Sequence, residues 1–355
     1  MRATTGDAAM NRVLLVLLGI AGAMALGVAV FAYQAHRFLH TTMSLPGEAV
    51  VFEVAAGSAF AGVSRALAER GYIDHPDWFR WYARLTGQAG AVQAGEYRID
   101  AGTTPLELLR MMVSGDVRLY SFTIVEGWTY REMLDALGAS DSVEAGIEFE
   151  DWPALLESLA ADAEYPEGLF LPETYRFPRG TTGVDILGQA YALMQRVLAE
   201  EWRDRAANLP LGTPYEALIL ASIVEKETAL AAERPQIAGV FTRRLINGMR
   251  LQTDPTVIYG LGVDFDGNLT RRDLRADTPY NTYTRNGLPP TPIALPGRAA
   301  INAALHPAGG SALYFVATGL GDGSHKFSDT KAEHDAAVRE YLRRQRAARD
   351  NPGGQ

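Results

Sequence analysis

The chain has 355 residues, 47% hydrophobic and 21% charged, with a net charge of −9. That length gives room for a sizeable core in about two domains, and the acidic balance excludes a surface built to attract nucleic acid. The absence of cysteine excludes disulfides and thiolate metal sites but leaves the redox compartment open.

Residues 13–33, VLLVLLGIAGAMALGVAVFAY, carry no charge. A helix over this run, rising ~1.5 Å per residue, spans ~30 Å, the thickness of a hydrocarbon core. A cleaved signal peptide would have an apolar region of ~7–15 residues followed by a small-x-small site. The sequence Tyr33-Gln34-Ala35-His36-Arg37 is a poor one. The run therefore reads as an uncleaved transmembrane helix. Arg2 and Arg12 precede it, which favours a cytoplasmic tail over residues 1–12. A polar connector over 34–46 follows, and the remainder of the chain then lies outside the inner membrane.

A small α+β unit is expected over 47–116. Residues 50–54 read as a strand. Ser58 is placed to cap a helix running through Val63 and Leu67 to Gly71. Pro76 and Asp77 open an aromatic helix containing Trp78, Phe79, Trp81 and Tyr82, and residues 93–99 form a second strand. Thr104 and Pro105 start a helix that ends at Gly115.

A larger α+β domain is expected over 117–345. Residues 118–126 alternate like a strand, and a helix starts near Tyr130. The acidic stretch 141–163 reads as a surface helical excursion, and 167–175 as a loop or short strand. A long amphipathic helix covers 186–202. In the next helix, apolar residues cover every side over 218–224 and run directly into Glu225-Lys226-Glu227-Thr228. Such a helix should be buried, and buried charges are costly unless paired or used. Another helix passes through Ile237, Val240 and Phe241 to Gly248. From Met249 to Pro296 the chain reads as loops rich in Pro, Gly, Asn and Thr. A buried strand over 313–317, a helix over 331–349 and a disordered tail over 346–355 close the chain.

There is no HExxH, GxSxG, P-loop or dinucleotide-binding signature. His306 and His325 are candidate acids or bases, with structural hydrogen bonding as the blander reading of each. Among the carboxylates, Glu225 and Glu227 lie ~200° apart around a helix, so they cannot flank one bond as a glycosidase pair does. Glu227 shares a face with Leu220, Ile223 and Val224. A carboxyl on that wall would be desolvated and would stay protonated near neutral pH, as a general acid requires. Glu225 shares a face with Leu218, Ala221 and Ser222. The competing reading for either is an ion pair with Lys226 or an arginine, and the chemistry alone leaves the two readings even. The segments 248–260, 279–283 and 287–293 mix amides, hydroxyls and rings with little charge. Sugars ask for such surfaces, although polar turns would have the same composition.

The stretches ASIVEKET, GMRLQTDPTVIYG, YNTYTRNGLPPTPIALPG, HPAGGSALYFVA and EGLFLPETYRF, in this order apart from the last, which precedes the others, resemble the YceG-like family of endolytic murein transglycosylases. The resemblance covers residue 13 to about 340. It implies a lyase, without cofactor or metal, that cuts the β-1,4 bond between N-acetylmuramic acid and N-acetylglucosamine in nascent strands. The product carries a 1,6-anhydro end, and the cut limits strand elongation. By resemblance the catalytic acid is the second Glu of the EKE motif, Glu227. Glu225, Gln252, Asp254, Tyr280, Asn281, Thr282 and Tyr283 are implied substrate-binding positions. The small unit is implied to be LysM-like, the catalytic domain periplasmic, and the partners peptidoglycan strands and peptidoglycan synthases. A membrane-anchored, non-catalytic wall-binding scaffold for synthesis enzymes is the competing class.

Overall fold

The computed structural model describes residues 5–144 and 146–350. The chain divides into two compact units. One runs through Tyr120 and takes in Pro178–Gly180. The other holds Ser121–Phe177 and the residues from Thr181 onward.

The first unit begins with helix α1 (Thr5–His40). The helix outlasts the apolar run. Residues 34–40, read from the sequence as the start of a connector, continue it. No glycine or proline interrupts the chain between Gly27 and Pro46, and Leu39 and Met43 are buried in the core of the small unit. That core is built by β1 (Ala49–Val54), α2 (Phe60–Glu69), α3 (Pro76–Leu85), β2 (Gly95–Asp100) and α4 (Pro105–Ser114). The two strands pair antiparallel, Ala49 opposite Asp100 and Val54 opposite Gly95. Their alternation turns Phe52, Val54, Tyr97 and Ile99 inward, against Phe60, Val63, Leu67, Phe79, Leu108 and Met112. The cap of α2 differs from expectation. Its N-cap is Ala59, without a side-chain hydrogen bond, and Ser58 stands one residue outside. Thr104 caps α4 in a reciprocal box with Glu107.

In the second unit β3 (Leu119–Thr123), whose first residues cross the division, pairs with β4 (Thr174–Pro178). Between them in sequence lie α5 (Tyr130–Gly138) and α6 (Trp152–Ser158). Among the described residues the acidic stretch is therefore α-helical only over α6. Then come α7 (Gly183–Arg203), α8 (Pro214–Glu227), α9 (Arg234–Ile246) and α10 (Asp254–Leu261). Helix α10 occupies part of the segment read as loop. Pro255 sits in its first turn, where a missing N–H costs no hydrogen bond. Helix α11 (Arg298–Leu305), the ribbon of β5 (Tyr314–Ala317) and β6 (His325–Ser328), and α12 (Lys331–Asp350) complete the unit. Strand β5 is half-buried along its length rather than buried, because β6 is its single strand neighbour and its other edge is left without one.

Helix α8 is the centre. All eight residues from Ala217 to Val224 are buried, packed among α7, α9, α10 and α11. Burial of Leu218, Ile219, Leu220, Ile223 and Val224 contributes on the order of 10 kcal/mol. Thr213 accepts from the Glu216 N–H as N-cap, and Pro214 occupies the first helical position. The helix ends at Glu227, because Thr228 turns extended with φ −148° and ψ 135°.

Candidate active site

The three charges at the end of α8 go three ways. Lys226 donates from Nζ to the Gly127 carbonyl at 3.0 Å. The Glu225 side chain is 5% exposed and meets Arg234, with Oε1 accepting from Nη2 at 2.8 Å. Its Oε2 accepts from the Gly297 N–H at 2.9 Å. Arg234 also reaches Glu126 at 3.3 Å. Burial pushes the Glu225 carboxyl above its ordinary range, while the Gly297 amide and Arg234 pull it back. A Cβ at position 297 would lie 1.9 Å from Glu126 Oε1, so a larger residue here would have to push the Glu126 side chain aside.

Glu227 points elsewhere. It is half-buried, and its Oε1 accepts from the Thr253 hydroxyl. Burial raises its pKa to about 7. The neighbouring Asp254 charge adds to the rise, and the Thr253 hydrogen bond with the His325 and Arg244 charges opposes it. Thr253, 2% exposed, is the N-cap residue of α10. Its N–H donates to Thr282 Oγ1 at 3.1 Å. The Thr256 hydroxyl donates to the Thr253 carbonyl at 2.8 Å and lies 2.9 Å from Thr282 Oγ1. A buried cluster of three hydroxyls thus stands behind the acid.

Glu227, Gln252, Asp254, Thr282 and Tyr283 come together around this cluster. Gln252 has φ +52°, unfavourable for a residue with a Cβ. Its N–H donates to the Thr282 carbonyl at 3.2 Å, and the residue is exposed. Asp254 is also exposed and accepts from the Tyr283 hydroxyl at 2.6 Å. Asn281, 1% exposed, is spent on its own loop. Its amide donates to the carbonyls of Asp273 at 3.1 Å and Ala276 at 2.6 Å, and its Oδ1 accepts from the Tyr283 N–H at 2.8 Å. Tyr280 shares a 2.8 Å hydrogen bond with Thr291 and meets the Tyr259 ring edge-on at 4.9 Å. Glu225 lies on the other side of α8, with Arg234.

Thr253, Arg244 and Glu167, which the sequence did not single out, are buried or held near the site, and the candidate histidines His325 and His306 are each tied to a partner. Thr253 lies inside a motif, but its partner is 26 positions away and no periodicity links them. Arg244 on α9 is held by the carbonyls of Leu251 and Leu313, each at 2.7 Å. His325 on β6 is held by Glu233 through Nδ1 at 2.7 Å. His306 is tied through Nε2 to the Asp204 carbonyl at 2.8 Å. Glu167 is a further acid, 2% exposed. It accepts from the Tyr130 N–H at 2.9 Å and the Tyr259 hydroxyl at 3.1 Å, and burial pushes it to about 8. Among the described residues no group of three His, Asp or Glu could hold a metal ion.

The family model described as the YceG-like family matches residues 52–340. An endolytic murein transglycosylase of Bacillus subtilis (strain 168) is 29% identical over 310 residues, spanning 82% of this chain and 85% of that protein. An endolytic murein transglycosylase of Streptococcus pneumoniae serotype 2 is 28% identical over 326 residues. The match covers 82% of this chain and 58% of that protein. The crystal structure of a YceG-like protein from Listeria monocytogenes aligns with a TM-score of 0.50 at 29% identity, covering 81% of this chain and 99% of that one.

Proposed function

The chain belongs to the YceG-like family, and from that premise we propose that it is a membrane-anchored murein transglycosylase with Glu227 as its single acid and base. One observation carries the reading. At the end of a buried helix, a carboxyl with a pKa raised to about 7 stands beside the exposed Gln252 and Asp254. A group titrating there is poised for general acid catalysis at neutral pH.

In the proposed cycle Glu227 begins protonated. Its Oε1 accepts from Thr253, so the transferable proton sits on Oε2. That proton passes to the glycosidic oxygen as the bond from muramic C1 breaks. The muramic C6 hydroxyl then attacks C1 and gives its proton to the Glu227 carboxylate. The new C6–O–C1 bridge is the 1,6-anhydro end, and no water is consumed. The enzyme returns to its starting protonation. The Asp254 carboxylate, steadied by Tyr283, would face the positive charge that develops at C1. Gln252 and Tyr283 would meet the sugar. Glu225, with both oxygens engaged, holds Arg234 and the Gly297 turn, and Asn281 holds the loop.

Helix α1 supports the anchor, since Leu14–His40 is long and apolar enough to cross a membrane, its 18-residue apolar window having a mean hydropathy of 2.6. The chain beyond it would lie in the periplasm. There the strand–helix–helix–strand–helix unit over 47–116, read as LysM-like, would hold glycan, and peptidoglycan synthases would be partners. The test is mass spectrometry of fragments released from sacculi by the full-length protein. Anhydro ends that vanish with Glu227→Gln are expected. Reducing ends would make it a hydrolase, and no release would leave the binding scaffold.

A further inference from the structure

Helix α3 carries an apolar face that the small unit does not use. At ~100° per residue, Trp78, Trp81 and Leu85 fall within about 60° of one another around the helix. Phe79 and Ala83, on the other side, are fully buried in the core. Trp81 is 56% exposed and Leu85 80% exposed. Isolated exposed apolar residues are ordinary. What sets these apart is the contact their face makes through Trp78.

The Trp78 ring lies 6.0 Å from Phe31 and 6.0 Å from Phe38, edge-on to both, and stacks on His75 at 4.3 Å. Phe31 belongs to the uncharged run of α1, and Phe38 lies ~10 Å further along the helix. Trp78 therefore reaches back from the small unit to the end of the apolar run, and Trp81 and Leu85 extend from the same face. Polar groups stand beside it. A hollow of about 430 Å³ adjoins Trp78 and is lined by Gln34, Arg37, Asp74 and His75 among others. Rings next to the apolar run, followed by polar and charged groups, is the order found at a membrane surface, where tryptophan and tyrosine are enriched.

We propose that the Trp78–Trp81–Leu85 face of α3 lies in the lipid interface, so that the small unit rests on the bilayer instead of hanging from a flexible stalk. The proposal rests on the reading of α1 as a membrane span. It is supported by continuity with that span, by the rigid helical passage through residues 34–40, and by the burial of Leu39 and Met43 in the small unit. An interfacial helix sinks its apolar face ~5–10 Å into the boundary between headgroups and chains, a depth that Trp and Leu side chains can reach.

The chain has no cysteine, so single labels can be placed cleanly. The full-length protein is reconstituted in vesicles of phosphatidylethanolamine and phosphatidylglycerol, carrying one nitrobenzoxadiazole label at L85C, V28C or V263C. Val28 is an exposed residue of α1, and Val263 is 86% exposed. Lipids with a doxyl quencher near the headgroup should remove about half of the emission at position 85, quenchers near the chain ends should remove little, and position 263 should respond to neither. Position 28 should respond to the deep quencher. If position 85 behaves like position 263 while position 28 is quenched, the span stands and the docked helix is overturned. If position 28 is not quenched, the span reading fails and the docked face fails with it.

Discussion

At the residue scale, the two acids of the EKE motif should separate in their effects. Glu227→Gln keeps the shape and cannot deliver a proton, so activity on glycan should fall at least ~10²-fold with the fold intact. Glu225→Gln leaves Arg234 with a neutral partner in a nearly buried pair. It should lower unfolding stability by about 1–3 kcal/mol and cost less activity. Release of anhydro-muropeptides and thermal unfolding, measured side by side, decide the matter. A dead Glu225 variant beside a near-normal Glu227 variant would reverse the roles. Thr253 makes a sharper case. Its hydroxyl favours the Glu227 carboxylate, so Thr253→Val should raise the acid's pKa. With wild type, kcat/KM should fall as pH rises through about 7, because the proton to be delivered is lost. With Thr253→Val that limb should move to higher pH and the maximal rate should drop, and Thr253→Ser should restore both. An unmoved limb would mean that Thr253 only packs.

At the element scale, α10 decides where the acid's neighbours stand. Thr253 begins this helix, and Tyr259, further along it, donates to Glu167, which also receives the N–H of Tyr130 at the start of α5. Glu167 thus ties two helix segments in the interior. Glu167→Ala leaves a buried N–H and a hydroxyl without this acceptor, at about 1–3 kcal/mol each. Denaturant unfolding should register the loss, and activity should fall as α10 loosens. Tyr259→Phe removes one of the two hydrogen bonds and should cost less. Equal stability of wild type and Glu167→Ala would remove this role. Much of the element pattern was legible in the sequence. Thr104 with Pro105 and Gly115 bracket α4, and the apolar run over 218–224 marks the buried body of α8. Helix α10 was not, because Pro255 and the surrounding Thr and Gly residues read as turns, whereas in the fold its Thr256 and Val257 side packs on α8 and meets Thr282.

For the whole molecule, two acids with raised pKa tilt stability against pH. Glu227 titrates at about 7 and Glu167 at about 8, both raised above the ordinary carboxylate value. Between roughly pH 4.5 and those values the native state binds more protons than the unfolded chain, so stability falls as pH rises. Each tenfold gain in a carboxylate's proton affinity on folding is worth ~1.4 kcal/mol before solvent screening. Acids with lowered pKa, such as Glu107 and Asp185, lose their contribution only in more acidic solution and do not tilt this window. Glu227→Gln should therefore be more stable relative to wild type at pH 8 than at pH 5, by on the order of 1–3 kcal/mol. A constant difference would mean that Glu227 is ionised throughout. The anchor is tested at this scale as well. Carbonate-washed membranes should keep the full-length protein, and a soluble product lacking residues 1–35 would remove the retained span. Cutting by the intact protein on long uncrosslinked glycan should release chains of intermediate length first. Disaccharides from the earliest times would show an exolytic enzyme.

By itself the sequence determined the long uncharged helix, the small α+β unit, the buried helix with an acid at its end, and the separation of two carboxylates by ~200°. These follow from composition and from periods of two and 3.6 residues, which are local properties of a chain. Only the tertiary structure decided which acid is ion-paired and which is left with a threonine hydroxyl and a raised pKa. Both follow apolar residues on α8, and the difference comes from Arg234 and Gly297 on one side and Thr253 and Asp254 on the other. Desolvation and hydrogen bonding are set by whatever the fold brings near, and Gly297 meets Glu225 across 72 residues of chain. The end of α1 has the same explanation. Composition marks where the apolar run stops, but the helix continues because Leu39 and Met43 find a core to enter, and that core is assembled from residues further along the chain.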